Sequence, residues 1–288
     1  MFEIVYRYDP RHPCRHHPPA DAHDARRRLQ EGNRGFAHVL DAMPAGQATV
    51  RHVVPFDPRD LGVGEAAGAP PQQRPFAIVL GCSDARVPTE LVFNQWCNEL
   101  FVVRIAGNVL GSEALGSIDY AVHNLGDSVK LLVVLAHSGC GAVTTAVDVF
   151  LQPARYLAVA TSHPLRAIVD RLVVVVRGAA RALEAAWGDG VVRSPGYRGA
   201  LIETTVVFNA ALGAFTLREE FRRSGNGASP TAVFGVYDLA SRCVRVPGAP
   251  TDGADTFLAD PPGTPDDLSA FAARIAGSAY VHALLQTG

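Results

Sequence analysis

Phe76-Ala77-Ile78-Val79-Leu80-Gly81-Cys82-Ser83-Asp84-Ala85-Arg86 and, further on, Leu131-Leu132-Val133-Val134-Leu135-Ala136-His137-Ser138-Gly139-Cys140 follow one plan: a short apolar, β-branched run that stops at polar residues. Runs of this length and character are buried strands, of the kind a parallel sheet covers on both faces. The polar residues then fall where strand turns to helix, and in open α/β sheets ligands sit outside those carboxyl ends. Two adjacent strand ends bring two thiols and an imidazole together.

Two thiolates and one imidazole are a three-ligand zinc set that leaves a fourth position for water or substrate. Cys82, His137 and Cys140 are the candidate ligands; His137 and Cys140 lie within one tight turn, and Cys82 comes from the other strand end. The helix expected over Gly139 to Phe150 puts its positive end beside Cys140 and favours the thiolate there. Asp84 and Arg86 are two apart, so an extended backbone projects both to one side. A carboxylate held in a guanidinium fork stays ionised and fixed in direction, suited to accept a hydrogen bond from a metal-bound water.

Three linked segments, Cys82-Ser83-Asp84-Ala85-Arg86, then Phe101-Val102-Val103-Arg104-Ile105-Ala106-Gly107-Asn108, then His137-Ser138-Gly139-Cys140-Gly141-Ala142-Val143, resemble the β-class carbonic anhydrases in order and close to their spacing. The resemblance is dense from about Gln73 to Val147. Outside it, Leu29-Gln30-Glu31-Gly32-Asn33-Arg34-Gly35-Phe36 is similar to the family's amino-terminal helix, and Gly235-Val236-Tyr237-Asp238-Leu239 resembles its last sheet segment.

The resemblance implies one Zn²⁺ per chain on Cys82, His137 and Cys140. It also implies reversible hydration of carbon dioxide to bicarbonate by attack of zinc-bound hydroxide, with Asp84 oriented by Arg86. Substrate contacts carried over from the family fall on Gln73, Phe101, Ala106, Tyr120 and Gly141, in a pocket at a subunit interface, so self-association as a homodimer or dimer of dimers is expected. Gln73 stands where the plant-like subgroup places a substrate donor, and Val79 where a regulated subgroup carries tryptophan, which points to the constitutively open type. His123 is a candidate proton shuttle, or an ordinary helix-face histidine.

The sequence departs from the family's pattern at Ala85, Ile105 and Ala136, where serine, asparagine and glycine are usual; none is a ligand. Two other readings stand beside hydration. One is hydrolysis of carbon disulfide or carbonyl sulfide on the same fold, and the other is a catalytically silent zinc scaffold or bicarbonate sensor. Asp84, Arg86 and Gln73 argue against the scaffold, because a closed structural site needs no oriented carboxylate. A thiol redox role is disfavoured by the absence of C-x-x-C.

The chain has 288 residues, 48% of them hydrophobic, enough for a substantial core. With 26 basic and 28 acidic residues, the net charge of −2 suggests no nucleic-acid partner. No apolar stretch is expected to span a membrane, and Met1 to Arg15 lacks the order of a secretory signal, so a cytoplasmic location is expected. Five cysteines suit a reducing compartment better than a disulfide framework, and Cys14, Cys97 and Cys243 are left as free thiols.

Read in order, residues 1–48 form an N-terminal arm and helix, 49–248 the α/β zinc domain, and 249–288 a linker and C-terminal helix. Met1 to His23, with four prolines and four histidines, is expected to be irregular, followed by a helix to about Met43 capped by Asp21 or Asp24. Val50 to Arg74 reads as loop. Helices are expected from Pro88 to Phe93, Glu113 to Leu125, Leu165 to Trp187, Leu201 to Arg223 and Asp266 to Leu285. Leu100 to Arg104 is a strand, and Thr231 to Asp238 with Cys243 to Val246 a hairpin at a sheet edge. The fold class is α/β, a mostly parallel central sheet of four to five strands flanked by helices, with an N-terminal helical arm and a C-terminal helix.

Overall fold

The computed structural model describes residues 2–9, 18–39, 50–55, 57–61, 70–161, 163–224, 229–248 and 256–287. In chain order the elements are β1 (Phe2–Arg7), α1 (Ala22–His38), β2 (Val50–Pro55), β3 (Ala77–Gly81), α2 (Thr89–Val92), β4 (Leu100–Arg104), α3 (Ser112–Leu125), β5 (Leu131–His137) and α4 (Gly141–Leu151). Then come α5 (Tyr156–Ala160), α6 (His163–Trp187), α7 (Tyr197–Ser224), β6 (Thr231–Tyr237), β7 (Val244–Arg245), α8 (Pro265–Ala276) and α9 (Ala279–Gln286). The main sheet runs β4-β3-β5-β6-β7; the first four strands are parallel and β7 turns back antiparallel to β6.

Every residue of β3 and β5 is buried, and their alternation divides the core in two. Ile78, Leu80, Leu132 and Val134 face one way, into the large cluster with α3, α4, α6, α7 and the C-terminal helices. Ala77, Val79, Leu131, Val133 and Leu135 face the other, against Leu29 of α1 and Val92 and Phe93 beside α2. A fully buried Leu or Val adds about 1.5–3 kcal/mol, so a central strand covered on both faces is the best-anchored element available to carry a site at its end. Cys82 continues the parity of Ile78 and Leu80 and lies in the large cluster.

The expected sheet, the edge hairpin and the long helix through Val173 to Val176 are all present. Asp21 caps α1, accepting from the Asp24 amide at 2.9 Å. Three readings are corrected. Phe2–Arg7 and Val50–Pro55, expected to be irregular chain and loop, pair as a parallel two-stranded sheet. The last helix is two, bent by 47° where Gly277 and Ser278 break it; Ser278 caps the second, accepting from the Val281 amide. Tyr197–Arg223 within α7 is apolar and long enough by composition to cross a membrane, but 72% of its apolar window is buried, so that apolarity serves the core. Gly213 shows how closely it sits on the sheet: an added Cβ there would be 3.3 Å from Val134 Cγ1.

Candidate metal centre

Cys82 follows the last residue of β3, His137 ends β5, and Cys140 precedes α4 as its N-cap. Because β3 and β5 are neighbours with Gly81 opposite Leu135, the three residues converge. Their side chains are 5%, 0% and 1% exposed, and their ligand atoms lie within 4.8 Å of one another.

The geometry fits zinc. Two sulfurs each about 2.3 Å from one tetrahedral ion stand about 3.8 Å apart, and Cys82 Sγ lies 3.9 Å from Cys140 Sγ. His137 Nδ1 lies 3.0 Å from the Ser138 carbonyl, which can only accept, so Nδ1 carries the proton and Nε2 presents its lone pair. That Nε2 is buried without a hydrogen-bond partner, a costly arrangement that a metal ion relieves. The other described cluster of ligand-type residues, Asp21, His23 and Asp24, is on the surface.

The turn after β3 is held from several sides. Arg104, at the end of β4, donates Nε–H to the Cys82 carbonyl at 2.9 Å and Nη2–H to the Asp84 carbonyl. The Gly107 amide donates to Cys82 Sγ at 3.3 Å. Gly107 itself has φ +65°, and its carbonyl accepts from Asn209 of α7 at 2.9 Å. Asp84 accepts from the backbone N–H, Nε–H and Nη2–H of Arg86 at 2.9, 3.0 and 2.7 Å. Those bonds hold its carboxyl well below the usual range, and Asp84 Oδ2 lies 3.7 Å from His137 Nε2. Asp84 therefore faces the ligand set as a fixed, ionised acceptor.

The amides at the start of α4 pull Cys140 toward the thiolate, the direction expected of the α4 dipole, and the two thiols share a 3.9 Å contact. The contact with Cys140, with help from His137 and the Asp84 and Gly107 amides, draws Cys82 down despite burial. Cys140 is pushed up by that same contact and by burial, against the weaker pull of the Ala142 and Val143 amides. At His137, burial opposes the charged imidazole, and the Cys82 sulfur, the Ser138 carbonyl and the Asp84 carboxylate together outweigh it, so its pKa is raised.

The five carried-over substrate residues are not all brought to this centre. Ala106 adjoins Gly107, and Gly141 follows Cys140 as the first residue of α4. Phe101 lies on β4 opposite Ile78 and packs against the large core cluster. Gln73 is exposed and precedes β3; its neighbours Gln72 and Arg74 are tied to Asn98 at the start of β4. Five strand residues at about 3.3 Å each separate that end from Cys82. Tyr120 is 54% exposed on α3, where His123 contacts Asp119. Cys97 and Cys243 are free thiols, whereas Cys14 and His12, His16 and His17 lie outside the described residues.

Sequence reasoning missed what holds the turn between His137 and Cys140. Ser138 donates to Asp238 at 3.2 Å and accepts from the Leu239 amide at 3.0 Å. The Gly139 amide, at φ +62°, donates to Glu203 Oε1 at 2.8 Å. Asp238 lay inside a quoted motif, but nothing in the spacing singles out Glu203.

The sequence profile of the carbonic anhydrase family matches residues 77–185. Carbonic anhydrase 2 of Mycobacterium tuberculosis is 43% identical over 119 residues, 41% of this chain and 49% of that protein. The carbonic anhydrase of Mycolicibacterium smegmatis is 41% identical over 120 residues, 42% and 50% of the two chains. The chain thus spans about half the length of the curated relatives it matches. The β-carbonic anhydrase CafA of Aspergillus fumigatus superposes with a TM-score of 0.47 at 18% identity, over 69% of this chain and 82% of that one, too distant a likeness to bear on the site. The resemblance carried by the three motifs is borne out: residues 77–185 match the carbonic anhydrase family's profile, and the relatives aligned with this chain are carbonic anhydrases.

Proposed function

We propose that this chain reversibly hydrates carbon dioxide to bicarbonate, on a zinc ion held by Cys82, His137 and Cys140. The observation that carries the reading is the buried, unpartnered His137 Nε2 beside a 3.9 Å pair of sulfurs, with the Arg86-held carboxylate of Asp84 3.7 Å away. A closed structural site has no use for that carboxylate.

Zinc in such a site supplies Lewis acidity and brings the pKa of water toward neutrality. Asp84, kept ionised by Arg86, accepts a hydrogen bond from the attacking water and so aims its lone pair at the substrate carbon. Arg104 and the Gly107 amide keep Cys82 and the Asp84 backbone in place while this happens. Val79, buried in the smaller core cluster where a regulated subgroup would carry tryptophan, and the fork on Asp84 support the open type.

Stopped-flow hydration of carbon dioxide by protein of measured zinc content is the direct test. Proton release that scales with zinc content is expected; a zinc-loaded protein without hydratase activity, or one that instead turns over carbon disulfide or carbonyl sulfide, overturns the assignment.

A further inference from the structure

Glu203 projects from α7, far in sequence from the ligand motifs, yet one of its oxygens accepts the Gly139 amide between His137 and Cys140 at 2.8 Å. The other accepts from the Tyr280 hydroxyl of α9 at 3.2 Å. Burial raises the Glu203 carboxyl above its usual range, and those two donors work against that rise. A part-buried carboxylate that is desolvated keeps its place only through such donors.

The helix that supplies Tyr280 is itself fixed. Its C-terminal end lies so close to the start of α7 that a Cβ on Gly196 would fall 1.9 Å from the Leu284 carbonyl oxygen and 2.6 Å from that of Thr287. Trp187, closing α6, stacks on His282 at 5.0 Å and donates its indole N–H to the Ala276 carbonyl at 2.7 Å. Hence α9 is not a loose tail, and its tyrosine arrives at a set position. All of α7, α8 and α9 lies beyond the segment that the family profile matches.

From this geometry we infer that Glu203, locked by Tyr280, is a positioning residue for the His137–Cys140 turn, through which the C-terminal helix sets how firmly the metal is held. Gly139 is the pivot, since its positive φ lets the turn swing His137 and Cys140 toward one point, and the Glu203 bond fixes the amide of that pivot. Neither Glu203 nor Tyr280 touches a ligand atom in any hydrogen bond of the described residues; both act through the turn.

The inference rests on the reading of the three ligands as a zinc site, and the test separates the two. Zinc is loaded into the full-length parent and into Glu203→Ala, Glu203→Gln and Tyr280→Phe, and its transfer to a chromogenic chelator is timed. Thermal unfolding of the metal-free forms is measured alongside. Loss of an outer partner of a metal site commonly costs about 10–100-fold in affinity. Release from Glu203→Ala and Tyr280→Phe is expected to be faster within that range, with Glu203→Gln close to the parent because its amide oxygen still accepts from Gly139. Metal-free melting temperatures within a few degrees of the parent locate the effect at the turn. Tyr280→Phe keeps the ring and its packing, so it carries the test even where Glu203→Ala folds poorly. Parental release rates in Tyr280→Phe, or Glu203→Gln as fast as Glu203→Ala, overturn the inference. A parent that binds no zinc overturns the site assignment instead.

Discussion

His137 gives one ring nitrogen to the Ser138 carbonyl and leaves the other buried and unpartnered, and the surrounding residues are arranged to keep that second nitrogen aimed. Arg86 has a different task. At 62% exposure it is no part of the core, and three donors from one residue converge on Asp84. Arg86→Ala removes two of them while leaving every ligand in place, so zinc content should stay at one per chain and hydratase turnover should fall on the order of 10²-fold. Zinc analysis and stopped flow on the same sample check this, and undiminished turnover would show that the fork is dispensable. Gly107 offers a stability test. An alanine there meets left-handed φ and brings its Cβ within 3.0 Å of Leu172 Cδ1 and 3.1 Å of Ala142 Cβ. Gly107→Ala should destabilise the metal-free protein by roughly 1–3 kcal/mol in urea unfolding, and a neutral result would mean that α4 and α6 shift freely around it.

Among the elements, α4 follows its N-cap Cys140 and is tethered further along by Asp148, which accepts from Arg198 of α7 at 2.7 and 3.0 Å and pairs with Arg155 at 3.2 Å. Arg198 holds the Asp148 carboxyl below its usual range. A carboxyl whose folded pKa is depressed adds stability above its unfolded pKa of about 3.9, and that stability disappears as pH falls toward the folded value. Arg198 is 53% exposed, so solvent screens the pair. Asp148→Asn should therefore cost no more than about 1 kcal/mol at neutral pH, and the gap from the parent should close as pH drops below about 4. Denaturant unfolding at several pH values measures it, and a constant gap would assign the effect to packing. The strands β3 and β5 were legible because burial on both faces leaves a continuous apolar run, and α6 because its apolar stripe outlasts the local Val173–Val176 run. The pairing of β1 with β2 was not, since a parallel pair joins segments far apart in the chain and neither carries a turn signal. The break at Gly277-Ser278 was readable as a cap, but the apolar stripe runs on past it. The ligands and the Asp84–Arg86 fork could be read because each lies within a short motif. Glu203 and Tyr280 could not, because they meet the site only through α7 and α9.

At the scale of the whole molecule, the position of Gln73 decides what a second copy would have to do. It sits at the amino end of β3, held there by the bonds of its neighbours to Asn98, while Cys82 stands at the other end of the same strand. A glutamine so placed cannot serve its own chain's metal centre, so if it binds substrate it does so in another copy, as the resemblance's shared pocket implies. Most soluble homo-oligomers close by two-fold symmetry, which lets each copy lend Gln73 to the other. Sedimentation at micromolar concentration should then show a dimer or a multiple of it, and a fully active monomer would exclude the arrangement. The sharper measurement mixes two defective chains. Cys82→Ala lacks a ligand but retains Gln73; Gln73→Ala retains the ligands but lacks the donor. Alone, each should hydrate carbon dioxide poorly. After subunit exchange, half of the dimers pair the two variants, and in each of those one site has all three ligands and a glutamine from its partner. Activity should recover to about a quarter of the parental level. No gain on mixing, in samples shown to exchange subunits, would mean that Gln73 takes no part across the interface and that its side chain is a surface group.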